Sequence, residues 1–469
     1  MPANDSPDVL VARFLRANGY HETFQAFLRE TNLTADSITD SPTDPTIEKI
    51  LEEKKLYDLA VRFEKVDVKG VEDVGFRVPY PTSPTLLPTP STTSNILSTT
   101  LTTLILPSQT SPQQVIISTS SDKSLTIHTA SPPYTLISTF RNIHAGPILS
   151  VAVISQRWLV TGSMVGDIAV SDLKGEVLQR WKGHAKYIVK LAVSDAYALP
   201  KPNPTKEDGE EEEEEGEIRY LAAASHDKSL SLHKLHIPTP SSPSTPSLSP
   251  LQTIKFDQTV EDVIFTKDYR HTNPTPTPQD PLPLLLIATI RDSPTLHIYS
   301  LSTPPKNEFI FTSNPSLTAT QTSWLTYTPT SLTPHPHNPH LIALITSTPK
   351  IIIYNLRTFT VDKEFGIPVE LSAYSTGVVA WRGGGDLAGS GIWVNGDDGV
   401  VKGVDVSSGK VVAELKGHKG RKVRCLTGGT IFTKVEGGGE EEEEEVMISG
   451  GFDGGLNIWR IAKEQEVSV

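Results

Sequence analysis

The chain has 469 residues, room for two or three ordinary domains or for one large repeat domain with an appendage. Hydrophobic residues make up 37%, and the longest greasy stretch, around Leu284–Ile287, is far too short to cross a bilayer, so no membrane role is expected. The lone cysteine, Cys425, excludes an intrachain disulfide framework and any cysteine-based zinc site; with no basic-then-apolar leader at the start, the expected setting is intracellular, cytoplasm or nucleus.

The formal net charge of −13 is concentrated in two places. Glu207, Asp208, Glu210–Glu215 and Glu217 form one acidic run, and Glu436 with Glu440–Glu445 forms another. Outside them acids and bases nearly balance. Like-charge runs repel themselves, so both are expected to be disordered, solubilising inserts, at 200–217 and 436–445. Their deletion is expected to leave stability almost unchanged, as is deletion of the Pro/Ser/Thr-rich stretch 236–250.

Residues 7–33 read as two helices. Ser6-Pro7-Asp8 supplies an N-cap, a proline at the first helical position and an acid in the first turn. Leu10, Val11, Phe14 and Leu15 follow as one apolar stripe, and Gly19 is placed to end the helix in a left-handed turn. The second helix carries Phe24, Phe27 and Leu28 on one face. Helices this short cannot bury their stripes against each other alone, which predicts pairing with a second copy.

Phe14-Leu15, Gly19-Tyr20, Thr23, Phe27 and Glu30 resemble, position by position, the LisH motif of small helical dimerisation modules. The resemblance implies a homodimer through Leu10, Val11, Phe14, Leu15, Tyr20, Phe24, Phe27 and Leu28. Residues 34–70 read as a linker plus a third helix from Asp44-Pro45, with Ile47, Ile50, Leu51, Leu56, Leu59, Ala60 and Phe63 as its apolar positions. Residues 71–93 read as one strand, Val74–Val78, and a Pro/Ser/Thr linker.

From residue 94 to 462 one phrase recurs: an acid in a turn followed by a β-rich run. Ser121-Asp122-Lys123-Ser124-Leu125-Thr126-Ile127-His128 and His226-Asp227-Lys228-Ser229-Leu230-Ser231-Leu232-His233 are nearly the same sentence. Further copies centre on Asp292, Asp398 and Asp453, and degenerate ones on Val165 and Thr348, giving seven turn positions.

These repeats resemble the WD-repeat β-propeller family. The fold expected is therefore mainly β, a seven-bladed propeller preceded by a small α-helical LisH module. In that family a Gly-His pair hydrogen-bonds the turn Asp and locks a blade. The resemblance pairs His184 with Asp227 and His418 with Asp453, next to Trp459, and gives Asp122, Asp292 and Asp398 the same structural role; His144 faces Val165, with no acid. It also implies that the last blade borrows its outer strand from the N-terminal side, with Val74–Val78 as donor.

In such blades successive hairpin turns alternate between two faces. The inserts 200–217, 267–282, 328–339 and 436–445 fall between first and second strands, and 236–250 between third and fourth, all on one face. The opposite face, with short turns throughout, is the expected docking surface: Lys123, Lys186, Tyr187, His226, Arg291, Arg421, Lys422 and Phe452. Its basic turns favour acidic or phosphorylated protein partners, with no direct nucleic-acid role.

The His-rich loop His335-Pro336-His337-Asn338-Pro339-His340 lacks Cys or acidic partners, so no metal or other cofactor is expected. No nucleophile elbow or carboxylate pair stands out. Ser/Thr-Pro pairs at Ser83, Thr89, Thr239, Ser242, Thr245 and Ser249 fit proline-directed kinases. The expected function is a non-enzymatic dimeric scaffold docking other proteins within a multiprotein complex. The alternatives are a ubiquitin-ligase substrate receptor, since Tyr354-Asn355-Leu356-Arg357 resembles a Trp-Asp-x-Arg box, or a corepressor-type subunit.

Overall fold

The computed structural model describes residues 6–35, 38, 46–47, 76, 78–91, 93–196, 216–239, 244–270, 282–302, 308–317, 328–372, 375–384, 388–434 and 441–462. It divides the chain into two units, residues 1–69 and 70–469.

In the first unit, Ser6 caps helix α1 (Pro7–Ala17), its hydroxyl accepting the Val9 N–H at 3.3 Å. Gly19 then takes a left-handed turn at φ +74°, a conformation free of Cβ strain only for glycine. Helix α2 (His21–Thr31) follows and ends on Asn32, also left-handed. Ala12, Phe24, Leu28 and Ile38 are buried together, and the Arg16 guanidinium donates to the Ile38 carbonyl at 3.1 Å. Phe24 and Leu28 therefore face their own chain's core, not an outward stripe, because Ile38 packs with them. The third helix lies outside the described residues apart from Thr46 and Ile47.

The second unit is a ring of seven four-stranded antiparallel sheets. In chain order the blades span residues 96–140, 148–182, 188–255, 260–313, 329–366, 379–416 and 423–460. The first strands of successive blades adjoin one another around the ring, and the first blade meets the seventh. The core lies between blades. In Leu284–Ile290, Leu284, Leu286, Ala288 and Ile290 pack towards the third blade, while Leu285 and Ile287 pack towards the fifth. A strand buried on both faces has no polar face, which explains the greasy run in the sequence.

The ring closes through β1 (Ser83–Leu86), the outer strand of blade seven, in register Ser83↔Arg460 to Leu86↔Asn457. This corrects the expected donor, Val74–Val78. Of that segment, residues 74, 75 and 77 lie outside the described residues. The Phe76 N–H goes to Asp405 Oδ1 at 3.2 Å, Val78 is exposed, and Pro79 and Pro81 have no N–H to give a ladder. Pro84 is tolerated in β1 because an outermost strand bonds along one edge only.

Several expected inserts are strands. Glu441–Gly451 pairs with Val423–Lys434, so Glu441–Glu445 extend a hairpin and do not form a loose tassel. Glu444 meets Arg460, and Glu445 accepts from Arg382 at 2.9 Å. Two arginines distant in sequence thus neutralise two adjacent glutamates of a run that self-repulsion would otherwise keep open. Glu217 likewise pairs with Ile237 inside Gly216–Ser225. The two ends of the stretch 236–250 belong to the long hairpin of Ser229–Pro238 and Ser247–Lys255. Pro329–Pro334 is the first strand of blade five, leaving only 335–340 as its connection. Deleting these strand residues would cut a sheet, so the expectation of dispensability does not hold for 216–217, 236–238, 247–250 and 441–445, while 200–215, 240–243, 271–281 and 436–440 lie outside the described residues.

Candidate functional site: the turn face of the propeller

All seven turn positions, 122, 165, 227, 292, 348, 398 and 453, lie between the second and third strands of their blades, and so on one face. Connections between successive blades emerge on that face as well. Two of them are long, 314–328 and 367–378, which corrects the expectation of short turns throughout. At the opposite end the channel widens into a cavity of about 890 Å³, lined by Thr99, Lys190, Thr333, Trp381, Thr427 and Phe432 among others.

Two His–Asp pairs cross-link turns on this face. His184 Nδ1 lies 3.1 Å from Asp227 Oδ2 and its Nε2 2.7 Å from Ser231. Burial pushes Asp227 upward, yet donation by Ser229, the Ala185 N–H and His184 outweighs it and leaves the carboxyl below its ordinary value. His418 lies 3.0 Å from Asp453 and 2.7 Å from Ser449, which also receives the Trp459 indole N–H at 2.9 Å. Ser449 and Ser231 were missed from sequence because they sit inside strands, where a serine carries no turn signal. Asp122, Asp292 and Asp398 meet no histidine. Asp122 accepts from Ser124 and Arg141, Asp292 from Thr328, and Asp398 from the Val400 N–H.

Burial also keeps several histidines neutral. It lowers the imidazoles of His144, His233 and His335 to about 4. A neutral folded histidine that protonates freely when unfolded stabilises the fold fully above about pH 6.5, and that contribution is lost as pH falls towards 4. His233, edge-on to Trp181 at 4.2 Å, tests this. Urea denaturation at pH 7 and pH 5 should show a smaller acid-side loss for His233→Phe than for wild type. An identical loss in both would show that His233 does not contribute this term.

The expected docking residues divide into two groups. Lys123, Lys186 and Arg421 are exposed, and Phe452 is 40% exposed. Tyr187 stacks on His226 with centroids 4.6 Å apart, making a half-exposed aromatic platform. Arg291 and Lys422, by contrast, are already committed. Arg291 bonds the buried Glu261 at 2.6 Å, and Lys422 meets Asp397 at 3.0 Å and two serines. These counter-ions sit 30 and 25 residues away in sequence and make the face less basic than its turns suggest. An apolar tip was missed: Met164 and Val165, 53% and 42% exposed, occupy the turn where an acid would stand.

Elsewhere, His335 accepts the N–H groups of His337 and Asn338 and packs on Trp381, so it shapes its own turn. In Tyr354-Asn355-Leu356-Arg357, Tyr354 and Leu356 are core residues and Asn355 caps the following turn. Among the described residues there is no group of three or more His, Cys, Asp or Glu side chains able to hold a metal, and no helix is long and apolar enough to cross a membrane.

Residues 7–41 match the family model for the LisH domain. The match runs past residue 33 to include Ile38, the residue that completes the buried cluster of α1 and α2. No curated protein matches the chain closely enough to stand as a relative. The chain is thus a LisH module joined to a seven-bladed β-propeller, the architecture of a LisH plus WD-repeat protein, built from two kinds of module typical of protein interaction.

Proposed function

We propose that this protein is a non-catalytic scaffold that pairs through its LisH module and docks other proteins on the turn face of its propeller. The observation that carries the reading is the division of the helical stripe. Phe24 and Leu28 are buried within the unit, while Leu10, Val11, Phe14, Leu15 and Phe27 stay half-exposed and Tyr20 is 53% exposed. An apolar surface left over after internal packing is what a second copy would cover. Two tethered propellers raise the effective concentration of each second contact, so modest affinities combine into avidity. On the turn face, Lys186, Arg421 and the Tyr187–His226 platform suit an acidic segment, with an on-rate that falls as salt rises.

Light scattering on Leu10→Asp with Phe14→Asp tests the pairing. These residues are not core, so the variant should stay folded and fall to the mass of one 51.1 kDa chain. A dimer that persists would overturn the reading. For the face, Lys186→Glu with Arg421→Glu is the right pair. Reversing Arg291 would set a second acid against buried Glu261 and confuse binding with folding. Partners recovered with wild type by affinity purification should be lost with this variant.

A further inference from the structure

Phe76 belongs to no strand, yet the sixth blade is shaped to hold it beside its seam with the seventh. Its ring lies edge-on to Trp393 at 5.4 Å and to Tyr80 at 5.3 Å, and the Arg382 guanidinium sits over its face at 4.6 Å. Gly391 and Gly403, in the second and third strands of blade six, leave the space it fills. A Cβ on Gly391 would overlap the ring, and one on Gly403 would come within 2.9 Å of it. The backbone is held as well. The Phe76 N–H donates to Asp405, and Arg382 Nη2 donates to the Pro79 carbonyl at 2.5 Å. The same guanidinium is bidentate to Glu445 of blade seven. Phe76, Tyr80 and Val378 pack against a cluster drawn from both blades, including Trp393, Val401, Met447 and Trp459.

We propose that the cleft between blades six and seven is a binding site for an aromatic-containing peptide segment, and that its resident ligand is the chain's own Phe76 with residues 78–80. The site is a fastening distinct from β1. The borrowed strand closes blade seven by backbone pairing, whereas Phe76 seats on blade six and the Arg382 guanidinium over its ring carries the link to Glu445 of blade seven. Two glycines, a cation and an indole on one ring make a specific receptacle, and an aromatic residue followed closely by a proline carbonyl is the chemistry it reads. A segment of another protein with that chemistry would compete for it only where Phe76 has left.

Hydrogen exchange on the full-length chain tests this. In Phe76→Ala, amides of Gly391–Val394 and Val400–Asp405 in blade six and of residues 445–449 in blade seven should exchange at least tenfold faster than in wild type. Blades two to four should keep their wild-type rates. A saturating synthetic peptide of residues 74–81 should restore the protection, and the same peptide with Ala at position 76 should not. If Phe76→Ala does not fold, Phe76→Leu is read in the same way, since it keeps apolar bulk but gives Arg382 no ring. Unchanged exchange, acceleration spread evenly over all seven blades, or protection that the peptide fails to restore would each overturn the proposal.

Discussion

Glu445→Ala should destabilise the propeller by about 3–5 kcal/mol, the cost of breaking a buried ion pair from one side. Glu445 is 4% exposed and Arg382 0%, and the guanidinium donates to both carboxylate oxygens at 2.9 Å. Arginine keeps its charge at any ordinary pH, so removing the acid takes a bidentate counter-charge away from a buried cation. The Pro79 carbonyl and the Phe76 ring remain beside it, but neither carries a full negative charge. Glu443→Ala, two residues away in the same run but exposed, should fall within about 0.5 kcal/mol of wild type. Urea denaturation of both variants decides it. Equal, small effects would return the whole run to the role of solvated tassel. Replacing both partners, Arg382→Met with Glu445→Leu, should recover most of the loss, because two apolar side chains leave no charge uncompensated.

The acidic run also shows where sequence reading stops. Six consecutive glutamates repel one another, and nothing local argues for a strand. What holds Glu445 and Glu444 is Arg382, 63 residues before the first, and Arg460, 16 after the second, brought alongside by the ring. The closing strand fails for a related reason. Val74-x-Phe76-x-Val78 alternates as a strand should, while Ser83-Pro84-Thr85-Leu86 does not. An outer strand needs only one bonded edge and little burial, so its sequence is barely constrained. The seven turn positions were legible because each turn repeats the same local chemistry, an acid or its relic before a β-rich run. The LisH helices were legible from Ser6-Pro7 and Gly19, whose backbone roles are local. Which of their apolar residues turn inward was not, since that depends on Ile38 packing with them. On the turn face, Lys186 and Arg291 look alike in sequence, and only the position of Glu261 separates an exposed cation from a committed one.

The last expected result concerns the blade locks and follows from who can donate. The Asn457 side-chain N–H can only donate, so His418 Nε2, 3.3 Å away, is an acceptor, and the Ser449 hydroxyl donates to it at 2.7 Å while its oxygen accepts the Trp459 indole N–H. His418 must then carry its proton on Nδ1 and donate it to Asp453. Asp453→Ala leaves that buried N–H without its acceptor and removes the acceptor of the Gly455 N–H, at a cost of about 1–3 kcal/mol. Blade two keeps half of this chain. His144 Nε2 lies 2.8 Å from Thr161, but Nδ1 is buried with no partner among the described residues, and Val165 stands where the acid would be. Val165→Ala, at an exposed tip, should therefore cost less than about 0.5 kcal/mol. Val165→Asp should stabilise, though by less than Asp453→Ala loses. Thr161 now donates to the Ala169 carbonyl, so His144 holds its proton on Nε2 and must change tautomer before it can serve the new carboxylate. Denaturant midpoints for the three variants order the effects. If Asp453→Ala cost no more than Val165→Ala, polar locking would contribute nothing here, and the blades would be held by their apolar faces alone.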